Sequence, residues 1–148
     1  MKILHVLYQS LPNSAGSSIR SRDIINNQIK IGLNPIIITS PFQNPFQNGE
    51  IKELINGVTY YRTFSNESEI VSERRTGFFV QIRKLYRIIN FSLQVYKVAK
   101  KEKIDVIHAH AMFFCAFSAK FASFFLNKPV VYEIRSLWEE RYKKNGFI

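Results

Sequence analysis

Two histidines, His108 and His110, close a short apolar run, Asp105-Val-Ile-His-Ala-His. An imidazole titrates near neutral pH and is the commonest metal ligand, so this pair is where the sequence is best able to support chemistry. The β-branched residues before the pair favour a strand buried in a parallel sheet. Residues two apart on a strand point to one face, and His110 lies nearest the carboxyl end. Ligands of open α/β sheets bind beyond those ends, so we predict that His110 contacts a ligand.

These histidines, and Cys115, also allow other interpretations. His108 is also compatible with a core histidine that is hydrogen-bonded to a neighbouring loop. A zinc site needs further ligands, and the other candidates are His5 on a separate strand and Cys115 on an apolar helix. We therefore predict no metal site. Phenylalanines surround Cys115, which indicates a core residue rather than a nucleophile.

A second pair of chemical groups follows the last predicted strand, in Tyr132-Glu133-Ile134-Arg135. Glu133 and Arg135 share a strand face and lie at a carboxyl end, where ligands bind. A guanidinium clamps phosphate well, so we predict that Arg135 binds substrate. An internal salt bridge or a helix cap is the alternative interpretation.

The loop 9–18 joins the first predicted strand to the first predicted helix. Its backbone amides and the helix dipole can receive a phosphate, and Gly16 lets a ligand come close. A plain turn is the alternative. The dinucleotide fingerprint is absent because no Gly-x-Gly-x-x-Gly occurs and the second strand ends in Thr39-Ser40 rather than an acid.

The elements that position these groups alternate along the chain. We predict strands at 3–8, 35–39, 58–63, 104–110 and 130–134, and helices at 17–31, 78–103, 111–126 and 138–144. Loops are predicted at 40–49 and 65–76. Ile25 and Ile29 should turn the first helix toward the sheet, and Gly32 should end it. Such alternation is typical of an α/β fold, with a parallel sheet and helices on both faces.

The long helix at 78–103 carries seven basic residues against one acid, within a chain of net charge +10. We predict one basic face, formed by Arg83, Arg87, Gln94, Lys97 and Lys101. We predict an opposite, core-packed face, formed by Phe78, Ile82, Leu85, Ile89 and Tyr96. The charge requires an anionic partner, which could be nucleic acid, a membrane surface or a phosphorylated substrate.

Size and composition fit one globular domain of 148 residues. A single cysteine excludes an internal disulfide and fits a reducing compartment, so we expect a cytoplasmic location. The apolar segment 111–126 is shorter than the roughly 20 residues that a spanning helix needs. The chain stops soon after the helix predicted at 138–144, so we expect more protein after residue 148.

Four motifs, in this order and at these intervals, give the chain a family resemblance. They are Met1-Lys-Ile-Leu-His, Ser14-Ala-Gly-Ser-Ser with Arg20-Ser-Arg, Asp105-Val-Ile-His-Ala-His, and Val130-Val-Tyr-Glu-Ile-Arg-Ser-Leu-Trp-Glu-Glu. With them the chain resembles the amino-terminal domain of family 4-like retaining glycosyltransferases of the two-Rossmann-domain (GT-B) class. The resemblance implies that residues 1–148 form a Rossmann-like, acceptor-side domain and that a carboxyl-terminal, donor-binding domain is absent from this chain.

The resemblance also implies roles for particular residues. Ala15 and Gly16 stand where the family commonly has paired glycines near the donor diphosphate, and Arg20 follows in the same motif. His110 would lie near the transferred sugar. The predicted substrate-binding roles of Glu133 and Arg135 rest instead on their place at the carboxyl end of a strand. The implied reaction moves a sugar from a nucleotide-sugar to a glycan or lipid-linked acceptor with retention. It needs no metal or other cofactor, and this chain alone should be inactive.

An envelope or lipid-linked acceptor would give the basic helix face a function. We predict that Arg83, Arg87, Lys97 and Lys101 face an anionic membrane, peripherally on the inner side of the cell membrane. Two alternatives stay open, a nucleic-acid-binding α/β domain and a standalone sugar- or nucleotide-binding module. No recognised nucleic-acid motif supports the first of these, so we expect no nucleic acid partner.

Overall fold

A computed structural model describes residues 1–12, 15–43, 51–63 and 78–135. In chain order the elements are β1 (Lys2–Leu7), α1 (Gly16–Lys30), β2 (Asn34–Thr39), β3 (Lys52–Ile55), β4 (Val58–Arg62), α2 (Phe78–Lys101), β5 (Val106–His110), α3 (Phe113–Leu126) and β6 (Val130–Glu133). The loop predicted at 65–76, the helix predicted at 138–144 and the side chain of Phe78 lie outside the described residues.

The strands form one sheet in the order β3-β4-β2-β1-β5-β6. All neighbours pair in parallel except β3 with β4. The predicted α/β fold is confirmed as a Rossmann-like, mostly parallel sheet. β1 lies centrally between β2 and β5, so the loop after β1 and the end of β5 meet at one edge.

The edge strand β3 was not predicted from the sequence. It pairs antiparallel with β4 across Asn56 and Gly57, whose φ angles are 51° and 79°. Both central residues of a tight two-residue hairpin need positive φ, and Asn-Gly is the commonest pair that supplies it. The strand after this pair was predicted at 58–63, but no strand was predicted before it.

Two apolar clusters separate the faces of the sheet and confirm that helices cover both. Alternate residues of β1, β2 and β5 pack against α2 and α3, around Phe91, Val95 and Phe114. The other face of the sheet packs against α1 through a smaller cluster. α1 contributes Ile25 to that cluster, so its side of the domain is much less apolar.

The predicted core face of α2 was wrong for three of its residues, whereas Tyr96, also predicted there, is partly buried against the core. Ile82, Leu85 and Ile89, expected in the core, are 50%, 58% and 47% exposed. The buried side chains of α2 lie on another face: Arg87, Phe91, Ser92, Val95, Val98 and Ala99. Small residues on that face let α3 approach closely, with the hydroxyls of Ser92 and Ser118 2.9 Å apart. The helix carries two apolar stripes, and periodicity alone did not identify which one faces the sheet.

The orientation of α2 also changes its predicted basic face. Arg83, Lys97 and Lys101 are exposed as predicted, but Arg87 is only 7% exposed and belongs to the buried face. Arg87 is therefore removed from the membrane-facing set. No described helix is both long and apolar enough to cross a membrane.

One of the two isoleucines predicted on the inner face of α1 is buried and the other is exposed. Ile25 is buried, but Ile29 is 43% exposed. Ser18, Ser21 and half-buried Gln28 complete the inner face instead. α1 ends as predicted at Gly32, which has a φ of 81° and donates its amide to the Ile29 carbonyl.

The orientation of α2 can be tested by stability. We expect Phe91→Ala to lower the free energy of unfolding by about 3–5 kcal/mol, because it empties a fully buried site. Leu85→Ala should change it by less than about 1 kcal/mol, because that side chain is mostly in solvent. Urea unfolding followed by circular dichroism measures both. A loss at Leu85 as large as that at Phe91 would contradict this orientation.

Candidate functional site

A cavity of about 260 Å³ opens at the carboxyl edge of the sheet. Residues from the ends of β1 and β5, the start of α1 and the segment after β6 line it: Leu7, Tyr8, Gln9, Ser17, Ser21, His110, Ala111, Met112 and Arg135. His110 and Arg135, both predicted at carboxyl ends of strands, therefore face one cavity together with Tyr8 after β1. The cavity is smaller than the roughly 300–1,000 Å³ of most small-molecule pockets, as expected of part of a larger site.

Arg135 connects the two walls of this cavity. Its Nη1 donates to the carbonyl of Ser17, at 2.9 Å, and to the hydroxyl of Ser21, at 3.0 Å, both on α1. Its Nη2 donates to Nδ1 of His110 at 2.7 Å and to Glu133 at 3.3 Å. One guanidinium therefore holds the first turns of α1 against the ends of β5 and β6.

Glu133 is the acidic centre of the site. Its Oε1 lies 3.1 Å from Nη2 of Arg20 and 3.3 Å from Nε of Arg135. Its Oε2 lies 2.8 Å from Nδ1 of His110 and 3.8 Å from Nε2 of His108. The internal salt bridge that the sequence left open is thus present, and it joins the predicted residues Arg20, Glu133, Arg135 and His110 in one network.

His110 is 1% exposed, and both of its ring nitrogens have neighbours. Nδ1 faces Arg135 and Glu133, and Nε2 lies 2.8 Å from Nδ1 of His5. Nε2 of His5 in turn lies 2.8 Å from Oε1 of Gln28. Neither His5 nor Gln28 was predicted as a site residue, although His5 was considered as a zinc ligand. The available signal was a histidine in the middle of an otherwise apolar first strand.

The histidines of the site are poor bases. Burial lowers the pKa of His5 to about 4 despite the opposing hydrogen bond to Gln28. Burial together with the neighbouring histidines and arginines depresses the pKa of His110 strongly. Burial also lowers the pKa of half-buried His108, whose ring centroid lies 4.0 Å from that of His110. All three are therefore neutral imidazoles at pH 7.

Neutral imidazoles are also the form that binds metals. Ring nitrogens of His5, His108 and His110 lie within 4.8 Å of one another, closer than the sequence suggested. However, the facing nitrogens of His5 and His110 already pair with each other, and the Arg135 guanidinium stands 2.7 Å from His110. An adjacent fixed cation disfavours a second one, so the geometry favours a hydrogen-bond network over a metal centre.

The start of α1 leaves room for a ligand. Ala15 is the N-cap residue, and its methyl group cannot accept hydrogen bonds from the amides of the first turn. A Cβ built on Gly16 would meet nothing within 4 Å, so open space adjoins the positive end of the helix. Buried Ser18 has no hydrogen-bond partner for its hydroxyl within the described ranges.

The loop after β1 is held in place by Arg62, which the sequence analysis did not single out. This side chain is buried and pairs with Glu53 of β3 at 2.8 Å. It also donates to the hydroxyl of Ser10 and the carbonyl of Leu11. The unpredicted hairpin therefore positions the cavity wall that follows β1. Cys115 lies in the core as predicted, and burial raises the pKa of its thiol.

Comparison with known families decides the membership of the chain. The sequence model of Glycosyltransferase Family 4 matches residues 15–147. The chain belongs to Glycosyltransferase Family 4. The resemblance drawn from the four motifs is therefore confirmed, and membership in Family 4 supports glycosyl transfer as the general chemistry. No curated protein matches the chain.

Solved structures similar to this Family 4 domain share its fold. A glycosyltransferase from Rickettsia africae is 19% identical with a TM-score of 0.52, over 97% of this chain and 34% of that one. The UDP-GlcNAc 2-epimerase from Neisseria meningitidis, bound to UDP-GlcNAc, is 12% identical with a TM-score of 0.54, over 99% of this chain and 35% of that one. The Family 4 chain thus spans about one third of each.

A third structure is similar over its whole length. The carboxyl-terminal domain of a Pyrococcus furiosus hydrogenase has a TM-score of 0.59 at 13% identity, over 90% of each chain. At such identities these matches support the Rossmann-like, GT-B-type fold of the Family 4 domain and not its substrate.

Because His5 is neutral in the folded domain, we expect the free energy of unfolding to depend on pH. The unfolded chain protonates His5 below about pH 6.5, whereas the folded state holds it neutral down to about pH 4. Because the unfolded state binds more protons in this window, stability falls as pH decreases through it, by up to about 1.4 kcal/mol per pH unit for this group.

Urea midpoints between pH 7 and 4.5 measure this dependence. His5→Asn should be less stable at pH 7 but have a shallower pH dependence, because asparagine does not titrate. An equally steep dependence in the variant and the parent would show that His5 does not cause it.

Proposed function

We propose that this chain is the acceptor-side, amino-terminal domain of a two-domain GT-B glycosyltransferase. The enzyme transfers a sugar from a nucleotide-sugar donor to a glycan or lipid-linked acceptor with retained configuration. One observation carries this proposal within the family: Arg135, Glu133 and His110 meet the start of α1 around one cavity at the carboxyl edge of the sheet. A second Rossmann-like domain supplies most of the nucleotide pocket.

The donor diphosphate is proposed to lie over the open space at Gly16. The helix dipole of α1, Arg20 and Arg135 supply positive charge there, and Ala15 leaves the cap position without a competing side-chain oxygen. A structure of the same fold, the Neisseria meningitidis epimerase, contains UDP-GlcNAc, which supports nucleotide-sugar binding by such a domain.

The proposed chemistry breaks the bond between the anomeric carbon and the diphosphate oxygen. The acceptor oxygen bonds to the same face of the sugar, and its proton passes to the departing diphosphate. Arg20, Arg135 and the amides of α1 stabilise the charge that develops on the leaving group, so no metal is required. His110 lies beside the transferred sugar and Glu133 orients the two arginines.

Activity of the two-domain enzyme tests this assignment. We expect the 148-residue chain alone to turn over no nucleotide-sugar and the enzyme with its second domain to do so. Arg135→Ala in that enzyme should lower kcat by about 10²–10³-fold, the effect of removing one preorganised charge-stabilising donor. Release of the nucleoside diphosphate measures turnover.

Arg22→Ala is the matched control, because Arg22 also lies on α1 but pairs with its neighbour Asp23 at the surface. His110→Ala should abolish turnover and also lower stability, because His110 lies inside the buried network. Parental rates for Arg135→Ala would overturn the site assignment.

We further propose that α2 contacts an anionic membrane, on the inner face of the cell membrane. The exposed apolar stripe of α2 comprises Phe79, Ile82, Leu85, Tyr86, Ile89 and Leu93. Exposed Arg83, Lys97 and Lys101 accompany it, and phenylalanines of the neighbouring α3 are exposed as well. Binding is therefore apolar as well as electrostatic, with about 1 kcal/mol from each basic residue near the surface.

Vesicle sedimentation separates these two contributions. Changing Arg83, Lys97 and Lys101 to glutamine should weaken binding to anionic vesicles and remove most of its salt dependence. Changing Ile82, Leu85 and Ile89 to serine should weaken the binding that persists at high salt. Lys30→Gln on α1, across the sheet, is the control. Unchanged sedimentation of both triple variants would contradict the membrane contact of α2, and tighter binding to duplex DNA than to vesicles would favour the nucleic-acid alternative.

A further inference from the structure

Four side chains from four different segments form one row through the domain. Gln28 of α1 contacts His5 of β1, His5 contacts His110 of β5, and His110 contacts Arg135 after β6. The three donor–acceptor distances are 2.8, 2.8 and 2.7 Å. His5 and His110 are 0% and 1% exposed, so water cannot readily replace these partners. Only the Arg135 and His110 end of the row lines the cavity.

The direction of every hydrogen bond in the row follows from Arg135. A guanidinium only donates, so Nδ1 of His110 is the acceptor and carries no proton. A neutral imidazole then carries its proton on Nε2, which donates to Nδ1 of His5. His5 must therefore also carry its proton on Nε2, and it donates to Oε1 of Gln28. The amide oxygen of Gln28 ends the row as its final acceptor.

Glu133 offers the one competing arrangement. Its Oε2 lies 2.8 Å from Nδ1 of His110 and could accept a proton there, which would reverse every bond in the row. Only the Arg135 contact with Nδ1 has the geometry of a hydrogen bond. Two N–H groups cannot face each other at 2.7 Å, so an Nδ1 proton on His110 would displace the guanidinium.

We propose that Gln28 and His5 are positioning residues that complete the tautomer pattern fixed by Arg135 and thereby hold Arg135 aimed at the cavity. The amide oxygen of Gln28 is the final acceptor, and it satisfies the proton that His5 carries on Nε2. With its proton on Nε2, His5 accepts a hydrogen bond at Nδ1 from Nε2–H of His110. His110 therefore has no proton on Nδ1, and this nitrogen accepts a hydrogen bond from Nη2 of Arg135 and orients it. The consequence for catalysis rests on the proposed function, but the tautomers do not.

The same row fixes α1 at two places. Gln28 holds its last turn through His5, and Arg135 holds its first turns through Ser17 and Ser21. The spacing between Arg135 and the first amides of α1 is therefore set by groups outside the cavity. Both are proposed to meet the same diphosphate, so a shift in either would misplace the leaving group.

Nitrogen-15 NMR of histidine-labelled 148-residue chain at pH 7 tests the tautomers directly. We expect both His5 and His110 to carry the proton on Nε2, with an unprotonated Nδ1. Gln28→Leu, nearly isosteric but without an acceptor, should move both histidines toward the Nδ1-protonated form, whereas Gln28→Glu should restore the parental pattern. An Nδ1 proton on His110 in the parent, or unchanged tautomers in Gln28→Leu, would overturn the proposal.

The two-domain enzyme gives the catalytic readout. Gln28→Leu should lower kcat about 10- to 100-fold with little change in the KM for acceptor, and Gln28→Glu should restore most of the rate. Asn27→Leu, on the exposed side of the same turn, should have no effect. Tautomers that shift in Gln28→Leu while kcat stays parental would refute the positioning role. Absence of turnover in the parent would contradict the proposed function alone.

Discussion

The guanidinium of Arg135 is the group on which the site depends. Its side chain is 9% exposed, and a charge so far from water is tolerated only when it is paired and hydrogen-bonded. Nη1 and Nη2 both have hydrogen-bond partners, whereas Nε lies 3.3 Å from Oε1 of Glu133 and makes no hydrogen bond within the described residues. Its partners come from α1, β5 and β6, so satisfying one charge fixes the relative position of three elements. Removing one partner of such a buried pair typically costs about 3–5 kcal/mol, because the remaining charge stays buried.

One face of the sheet carries most of the apolar core, and the other face carries the candidate site. The side of α2 and α3 is a dry, apolar core in which Phe91, Val95 and Phe114 interdigitate with alternate strand residues. On the side of α1, a smaller apolar cluster adjoins buried serines and histidines, and α1 itself contributes Ile25 to that cluster. A polar layer of this kind is stable only when its members satisfy one another, and this requirement gives it one arrangement.

α2 has an exposed apolar surface because it carries two apolar stripes and buries one of them. It carries one apolar stripe through Phe91 and Val95 and another through Ile82, Leu85 and Ile89, and a helix in a two-layer packing can bury only one. The first stripe has the small residues Ser92 and Ala99 beside it, so α3 can approach closely on that side. The second stripe remains outward. Exposed apolar area of this extent is typical of an interaction surface.

The amino-acid sequence by itself determined the order of most elements and placed His110, Glu133 and Arg135 at the carboxyl edge of the sheet, where the candidate site lies, whereas Arg20 came from the family resemblance. These follow from local signals, because strand patterns and the rule for parallel sheets need no knowledge of distant contacts. The β3 hairpin had a local signal in Asn56-Gly57 that the prediction of elements did not use. The sequence did not determine the inner face of α2 or the part played by His5 and Gln28. The contacts of His5 and Gln28 depend on which strands become neighbours. The inner face of α2 depends on which of its two apolar stripes fits against α3 and the sheet. Only tertiary packing brings residues 23 and 105 positions apart into one hydrogen-bonded row.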